Sequence, residues 1–551
     1  MDKTSDIRQL CLRLRPILGP EVDNIYSAYI AEDDKGKDQI EHYLQMLALK
    51  YIPVKLSQPE IELIPPSADQ AFGEYPIGKV QYAEKQLYDF GLREDEWIQH
   101  LAILGRSGAG KTNAGFIILD NLKKHNKPFL VFDWKRNYRD LLSKPEFKDV
   151  EVYTIGRNIT PFTFNPLIPP QGTNPKTWLK KLNEVIAHAY CLGNGVLFLL
   201  QQAVDSVYQE AGVYDGTVVK WPTFKDVLLK ARNMDTRGRE SGWLSSTLRA
   251  LSSLCFGDMD KLLNTDSNKS IDHILDKNVI LELDALTQSD KTFFVQACLL
   301  YIHHKRLIEE TREDFKHAIV IEEAHHVLSD ERRSLVGGQS VMEIIFREIR
   351  EFGESLVLLD QHPSKISLSA LGNSYCTICM NLKHKTDINA MSQCMLMDKD
   401  KDILGTLDVG HAVVKLQGRF VRPFEIRLPL FAIDKGKITD DFISEHMKSI
   451  IPKIIEEDFR LTWQNENKLP DKKPDIEMAF LKNVINYPDI GIAERYRHLG
   501  ISVRQGQKLK DKLLKEGLIE ESRQTTPTGR LIAIHLTEKA HKLLGTGQID
   551  R

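Results

Sequence analysis

Gly105-Arg106-Ser107-Gly108-Ala109-Gly110-Lys111-Thr112 decides the fold. The pattern is G-x-x-x-x-G-K-[ST], the Walker A phosphate-binding loop. Ile98–Leu104 before it is a buried-strand run, and Thr112–Lys124 after it reads as a helix. Strand, glycine loop and helix in that order are what the chemistry requires. The glycines let backbone N–H groups turn inward around phosphate oxygens, and the helix N-terminus adds partial positive charge. Lys111 then reaches the β- and γ-phosphates, and Thr112 offers its hydroxyl to Mg²⁺. The predicted phosphate-binding set is Gly105, Arg106, Ser107, Gly108, Ala109, Gly110, Lys111, Thr112 and Asn113. A glycine-rich turn with no ligand is the bland alternative, and it gives no reason for the flanking strand and helix.

Outward from the loop, between about 98 and 430, apolar strand-like runs alternate with helical patterns. That alternation signals a parallel sheet covered by helices. The predicted strands are Ile98–Leu104, Phe129–Asp133, Val279–Leu283, Ala318–Ile321, Ser355–Leu359 and Thr377–Leu382. The stretch 172–272 between the second and third is too long for a bare loop and reads as an all-α insertion. The run His317-Ala318-Ile319-Val320-Ile321-Glu322-Glu323 places two carboxylates at the C-terminal end of a buried strand, where open α/β sheets bind ligands. Glu322 is assigned to the Mg²⁺ shell and Glu323 to polarising the attacking water. The competing reading is a solvated acidic turn. His325 and His326 follow without a zinc-spaced ligand set and read as packing or supporting residues. Cys376 and Cys379 form a lone C-x-x-C in an apolar run, which reads as buried core.

The 551 residues suffice for roughly three or four domains. Lys+Arg 74 against Asp+Glu 77 gives a net charge of −3. That excludes a protein basic throughout, but not one with a local basic patch. Seven scattered cysteines fit a reducing compartment better than a disulfide framework. The first residues are polar, and no apolar run approaches the roughly 18 needed to span a bilayer. A cytoplasmic protein with no membrane attachment is expected.

The predicted domains are a mainly helical region over 1–74, with helices near 4–17 and 36–50; a core over 75–431; a helical connector and polar linker over 432–474; and a module over 475–551. Residues 432–463 look helical, and 464–475 are polar with two prolines. The last module reads as three helices, then strands Leu518–Glu521 and Leu531–Leu536 joined by a turn from Arg523 to Arg530, then a helix. Ser502 and Gln505 form a capping box opening its third helix. This order resembles a winged helix. Arg504, Lys508, Lys512, Arg523 and Arg530 are its candidate DNA contacts, suited to phosphate backbone rather than base edges. A protein-docking winged helix with a solvated charged face remains open.

Several separate motifs resemble the HerA/FtsK superfamily of motor ATPases, its HerA branch most closely. They are Trp97–Gly105, Phe132–Tyr138, Thr163–Leu167, Arg347–Gly353 followed by Asp360-Gln361-His362-Pro363-Ser364, and Gly410–Val414. The resemblance implies a RecA-like α/β core with a mainly parallel sheet, ATP and Mg²⁺ as ligands, and a homo-oligomeric ring, usually hexameric, around double-stranded DNA. It implies that Gln361 senses the γ-phosphate and that Arg347 or Arg350 reaches a neighbour's nucleotide. Either arginine serves equally as a surface partner of Glu348 or Glu351. Relatives often carry Asp where Glu322 stands, and often begin with a small β-barrel where this chain looks helical. The expected function is an ATP-driven DNA translocase, helicase-like, acting with a nuclease or other effector in DNA processing or defence against foreign DNA. Two alternatives stay open: a soluble ATPase of a conjugation or secretion machine, and a nucleotide-switched scaffold that activates an effector.

Overall fold

The computed structural model describes residues 3–52, 63–309, 312–329, 340–448, 476–487, 490–499, 501–526, 529–537 and 539–540. The chain divides into two units, Met1–Phe459 and Arg460–Arg551.

The first unit is built on an eleven-stranded sheet. In chain order the strands are β1 (Tyr75–Tyr82), β2 (Lys85–Leu92), β3 (Leu101–Leu104), β4 (Phe129–Asp133), β5 (Glu151–Thr154), β6 (Val279–Glu282), β7 (His317–Glu322), β8 (Glu354–Asp360), β9 (Cys376–Met380), β10 (His411–Leu416) and β11 (Phe424–Arg427). Their spatial order is β2-β1-β11-β10-β9-β3-β8-β7-β4-β6-β5. From β9 to β5 every pairing is parallel, and from β9 back to β2 every pairing is antiparallel. The parallel strands are buried on both faces, which is why they read as short unbroken apolar runs. This is the mainly parallel α/β fold of RecA-like ATPases, as the sequence predicts.

All six predicted strands exist. The first is shorter than expected, because Ile98–His100 belongs to a turn after the short helix Glu94–Trp97. His100 sits there with φ +67° and is buried. The Leu356 amide, which can only donate, points at its Nδ1 (3.0 Å), so Nε2–H donates to the Phe346 carbonyl (2.6 Å). Burial holds the ring neutral, with its pKa lowered to about 4. The imidazole thus ties the foot of β3 to β8 and to the helix Val341–Glu348. Strand β5 escaped prediction because Glu-Val-Tyr-Thr is four residues long and polar at both ends.

Six helices fill the predicted insertion, from Pro175–Ala189 to Lys269–Ile274. They pack beside the long buried helix Gln288–Leu307. Among the described residues of the N-terminal region, the helices Lys3–Leu18, Glu21–Ala31 and Asp34–Tyr51 pack around Leu14, Val22 and Leu44, and a short helix Ala68–Ala71 follows. The middle helix is absent from the sequence prediction. Gly19, at φ +74°, turns the chain into it.

The connector departs from expectation. Residues 432–439 are not helical, and the helix Asp440–Lys448 lies against the edge strand β5. Met447 Sδ accepts from the Val152 amide (3.1 Å), and His446 Nε2–H donates to the Val150 carbonyl (2.8 Å). Backbone groups that an open edge would leave unpaired are satisfied in this way. The predicted polar linker at 464–475 lies outside the described residues.

The second unit contains helices Ile476–Asn486, Ile492–His498 and Val503–Lys515 and the antiparallel pair β12 (Ile519–Thr526) and β13 (Gly529–Leu536). Phe480, Leu481, Tyr496, Leu513 and Ile534 form its core. The predicted Ser502–Gln505 capping box is present. At Gly506 an added Cβ would lie 2.3 Å from the Tyr496 ring, so only glycine lets these two helices approach. The strands run further than predicted. Arg523 and Arg530 therefore lie on paired strands rather than on a turn.

Candidate nucleotide site

Strands β3, β4, β7 and β8 end at one edge of the sheet. Leu104 pairs with Asp360, and Glu322 with Leu359. The loop after β3, the carboxylates after β7 and Gln361 after β8 are thereby brought to one cleft of about 320 Å³. Ser107, Gly108, Gly110, Lys111, Thr112 and Asn113 line one side; Lys135, Asn137, Glu322, Glu323, Gln361 and Lys435 line the other.

The loop has the predicted geometry. Gly108 and Gly110 hold φ +77° and +117°, and the helix Lys111–Lys124 starts directly after Gly110. An added Cβ at Gly105 would meet Met380 Cβ at 2.8 Å. Lys111 Nζ donates to the carbonyls of Gly105 (2.6 Å) and Arg106 (3.1 Å). Burial lowers its pKa to about 8, against the opposing pull of Glu323 and Asp360. Two members of the predicted set differ in role. Arg106 Nε donates to Asn381 Oδ1 (2.8 Å), fixing the loop to the exit of β9. Asn113 bonds to the Pro429 carbonyl and the Phe431 amide (both 2.8 Å), so its amide group ties the helix to the segment after β11. Their side chains serve the scaffold.

Glu322 is buried, accepting from the Trp134 amide (3.2 Å). Desolvation, with Asp133 beside it, pushes its carboxyl well above the usual range, and burial raises Asp133 too. Paired carboxyls that resist ionisation are an environment a divalent cation relieves. Thr112 and Glu322 line the same cleft, so the donor set suits Mg²⁺.

Glu323 follows with φ +49°. Its Oε1 accepts from Lys135 Nζ (2.6 Å) and from Gln361 Nε2. The two side chains that the sequence analysis assigns to polarising water and sensing the γ-phosphate are therefore in direct contact. Lys135, inside the quoted Phe132–Tyr138 motif, had no role assigned from sequence; its signal was its place just past a strand end. His325 lies beneath, its Nδ1 and amide N both on Asp360 Oδ2 (2.8 and 2.7 Å), and His326 stacks on Trp134. Both act as supports, as expected. Glu323, His325 and Asp360 could hold a metal ion by spacing, but Asp360 is already committed to two backbone amides, of His325 and His362. Cys376 and Cys379 are buried in β9, their thiols pushed up by burial.

The arginines do not join this cleft. Arg347 ends the helix Val341–Glu348 and Arg350 lies in the next turn, both exposed. In the second unit, Lys512 pairs with Glu477 and Glu516. Arg504 and Lys508 are exposed and form no ion pair among the described residues. The side chains of Arg523 and Arg530 lie outside the described residues.

Comparison with known proteins bears on this geometry directly. Residues 75–302 match the family model for the central domain of helicase HerA. Over that segment the chain is similar to a HerA/FtsK-type motor ATPase core. A DNA double-strand break repair helicase HerA from Saccharolobus solfataricus is 24% identical over 378 residues, covering 65% of this chain and 69% of that protein. A probable helicase from Methanocaldococcus jannaschii, MJ1565, is 23% identical, covering 57% of this chain and 60% of that protein. VirB4 of Thermoanaerobacter pseudethanolicus shares the fold, with a TM-score of 0.51 at 15% identity over 65% of this chain and 96% of VirB4. The HerA-type core extends past the matched segment. β7 and β8, which carry Glu322 and Asp360, lie beyond residue 302 yet sit between β3 and β4 in the sheet.

Proposed function

We propose that this protein is an ATP-driven motor that translocates double-stranded DNA through a homo-oligomeric ring. The observation that carries the reading is the convergence of Lys111, Thr112, Glu322, Glu323 and Gln361 on one cleft at the carboxyl edge of a HerA-type sheet. The loop amides and Lys111 bind the β- and γ-phosphates. Thr112 and Glu322 would hold Mg²⁺, which when bound would supply neutralisation of charge on the phosphoryl oxygens. Glu323, freed from Lys135, accepts hydrogen-bonding from the attacking water and orients it. Gln361 links that carboxylate to the γ-phosphate position, so nucleotide state reaches β8.

Arg347 and Arg350 are exposed and do not line their own cleft, which fits residues serving a neighbour's nucleotide. A ring, six-membered by analogy, follows from that reading. The named activity of the HerA relatives supports DNA as the track. The second unit has the helix and strand order of a winged helix, with Arg504 and Lys508 among its exposed cations. A nuclease or other effector would supply any cutting, in DNA processing or in defence against foreign DNA. No described helix is long and apolar enough to cross a membrane, and all seven cysteines are free, which suits a cytoplasmic setting.

Displacement of a triplex-forming strand from linear duplex DNA tests the proposal. Displacement that requires ATP and is lost in Glu323→Gln supports a translocase. An intact, ATP-hydrolysing oligomer that never displaces the strand would contradict it.

A further inference from the structure

The chain leaving β11 does not depart from the core. It runs back along the core as a strap from Leu428 to Asp440, fastened at three places, and its Lys435 lines the nucleotide cleft. Asn113, on the first turn of the loop helix, holds the Pro429 carbonyl and Phe431 amide (2.8 Å each). Asp140 Oδ2 accepts from the Gly436 amide (2.8 Å). Asp440 accepts from Arg139 (2.7 Å), with Arg136 and Arg157 at 3.3 Å. Arg139 is itself held by the fully buried Glu282. Between these fastenings the strap presents Lys435 to the cleft that Ser107 and Gly108 also line. Gly436 follows at φ +73°, a turn that a side chain would strain.

The cleft's three lysines have different commitments. Lys111 is folded onto loop carbonyls, and Lys135 is paired with Glu323. Neighbouring Lys437 is paired with Asp434. Lys435 has no acid partner among the described residues. A polyphosphate entering the cleft brings several negative charges to a space that already holds Glu322 and Glu323. The cation at its rim that needs no prior bond broken is Lys435.

We infer that Lys435 is a polyphosphate-binding residue, delivered to the nucleotide in cis by the strap that Asn113 fastens to the loop helix. The inference rests on the proposed nucleotide site. It also gives that site a selectivity: nucleoside di- and triphosphates are held by the strap, while a monophosphate, which lacks the oxygens Lys435 reaches, is not. Because the strap continues into the helix on β5, occupancy of the cleft is mechanically joined to the chain leading out of the core.

Equilibrium binding of ATP, ADP and AMP to the full chain tests this, using wild type, Lys435→Ala, Lys435→Arg and Lys437→Ala. Loss of one charge-assisted contact to phosphate predicts roughly tenfold weaker ATP and ADP binding in Lys435→Ala, with AMP unchanged. Lys435→Arg should restore most of the affinity, and Lys437→Ala should match wild type. ATP binding by Lys435→Ala within twofold of wild type would overturn the inference while leaving the nucleotide site standing. So would equal loss for ATP and AMP, which marks a structural defect of the strap. Wild type that binds no nucleotide, indistinguishable from Lys111→Ala, would remove the site itself and the inference with it.

Discussion

The two walls of the nucleotide cleft are made differently. One is a single run, Gly105 to Asn113, whose conformation is set locally by two left-handed glycines and a helix start. The other is gathered from four segments of the chain: Lys135 and Asn137 after β4, Glu322 and Glu323 at the end of β7, Gln361 after β8, and Lys435 on the strap. Contiguous chemistry survives as a sequence pattern. Gathered chemistry depends on sheet order, and here β7 and β8 are inserted between strands that are neighbours in sequence. The difference teaches where substitutions should act. On the proposed reading the first wall binds, so damage there should abolish occupancy of the phosphate site. In the second wall Lys435 should also act on binding, whereas damage at Lys135, Glu323 or Gln361 should leave binding and slow turnover.

Lys111→Ala should break the first wall most severely, lowering ATP hydrolysis by about 10³-fold or more with the fold intact by circular dichroism. Glu323→Gln should sharpen the contrast. ATP binding should stay near wild type by titration, while single-turnover hydrolysis falls about 10²- to 10³-fold. Lys135→Ala, which releases Glu323 from its ion pair, is expected to change kcat about tenfold with KM little altered. A change confined to KM would instead place Lys135 on the binding wall.

Beneath the first wall, His100 makes a pH prediction. Its pKa is about 4 in the fold against about 6.5 when unfolded, so the unfolded chain takes up the proton first. Stability is therefore full above pH 6.5 and falls as pH drops towards 4, by on the order of 3 kcal/mol from this group. Buried His303 and His304, also lowered, to about 3 and 4, add loss of the same sign. Urea melts from pH 7 to 5 should show the decline, and His100→Gln should flatten part of it. The smallest effect is expected in the second unit. Lys508→Ala should weaken duplex binding a few-fold and reduce the salt slope by about one, while Lys512→Ala, already paired with acids, should change neither.

Much of this architecture was legible beforehand. The six parallel-strand runs announce themselves because both faces are buried, and the insertion because 100 residues cannot be loop. Glu322 and Glu323 stand out because a buried strand ends in two charges. What escaped has physical reasons. Strand β5 is too short and polar to carry a period. Ile98–His100 is apolar enough to extend a strand, but His100 turns the chain to make its two hydrogen bonds. Lys135 and Lys435 are surface lysines by composition, and only tertiary placement distinguishes them from the rest. Asn113 lines the cleft as the phosphate-binding set expects, but the sequence does not show that its side-chain amide also bonds a backbone carbonyl and amide 316 and 318 residues away. The resemblance to HerA/FtsK motors named the core correctly, and it could say nothing of a strap whose residues lie outside the quoted motifs.

The central claim is that hydrolysis in this cleft is coupled to DNA. Steady-state ATP turnover, measured with and without linear double-stranded DNA and with Lys111→Ala as the blank, tests it most directly. The account predicts turnover stimulated several-fold by DNA and absent in the variant. Turnover that depends on Lys111 but is indifferent to DNA would contradict it, leaving an ATPase whose work is done on something else.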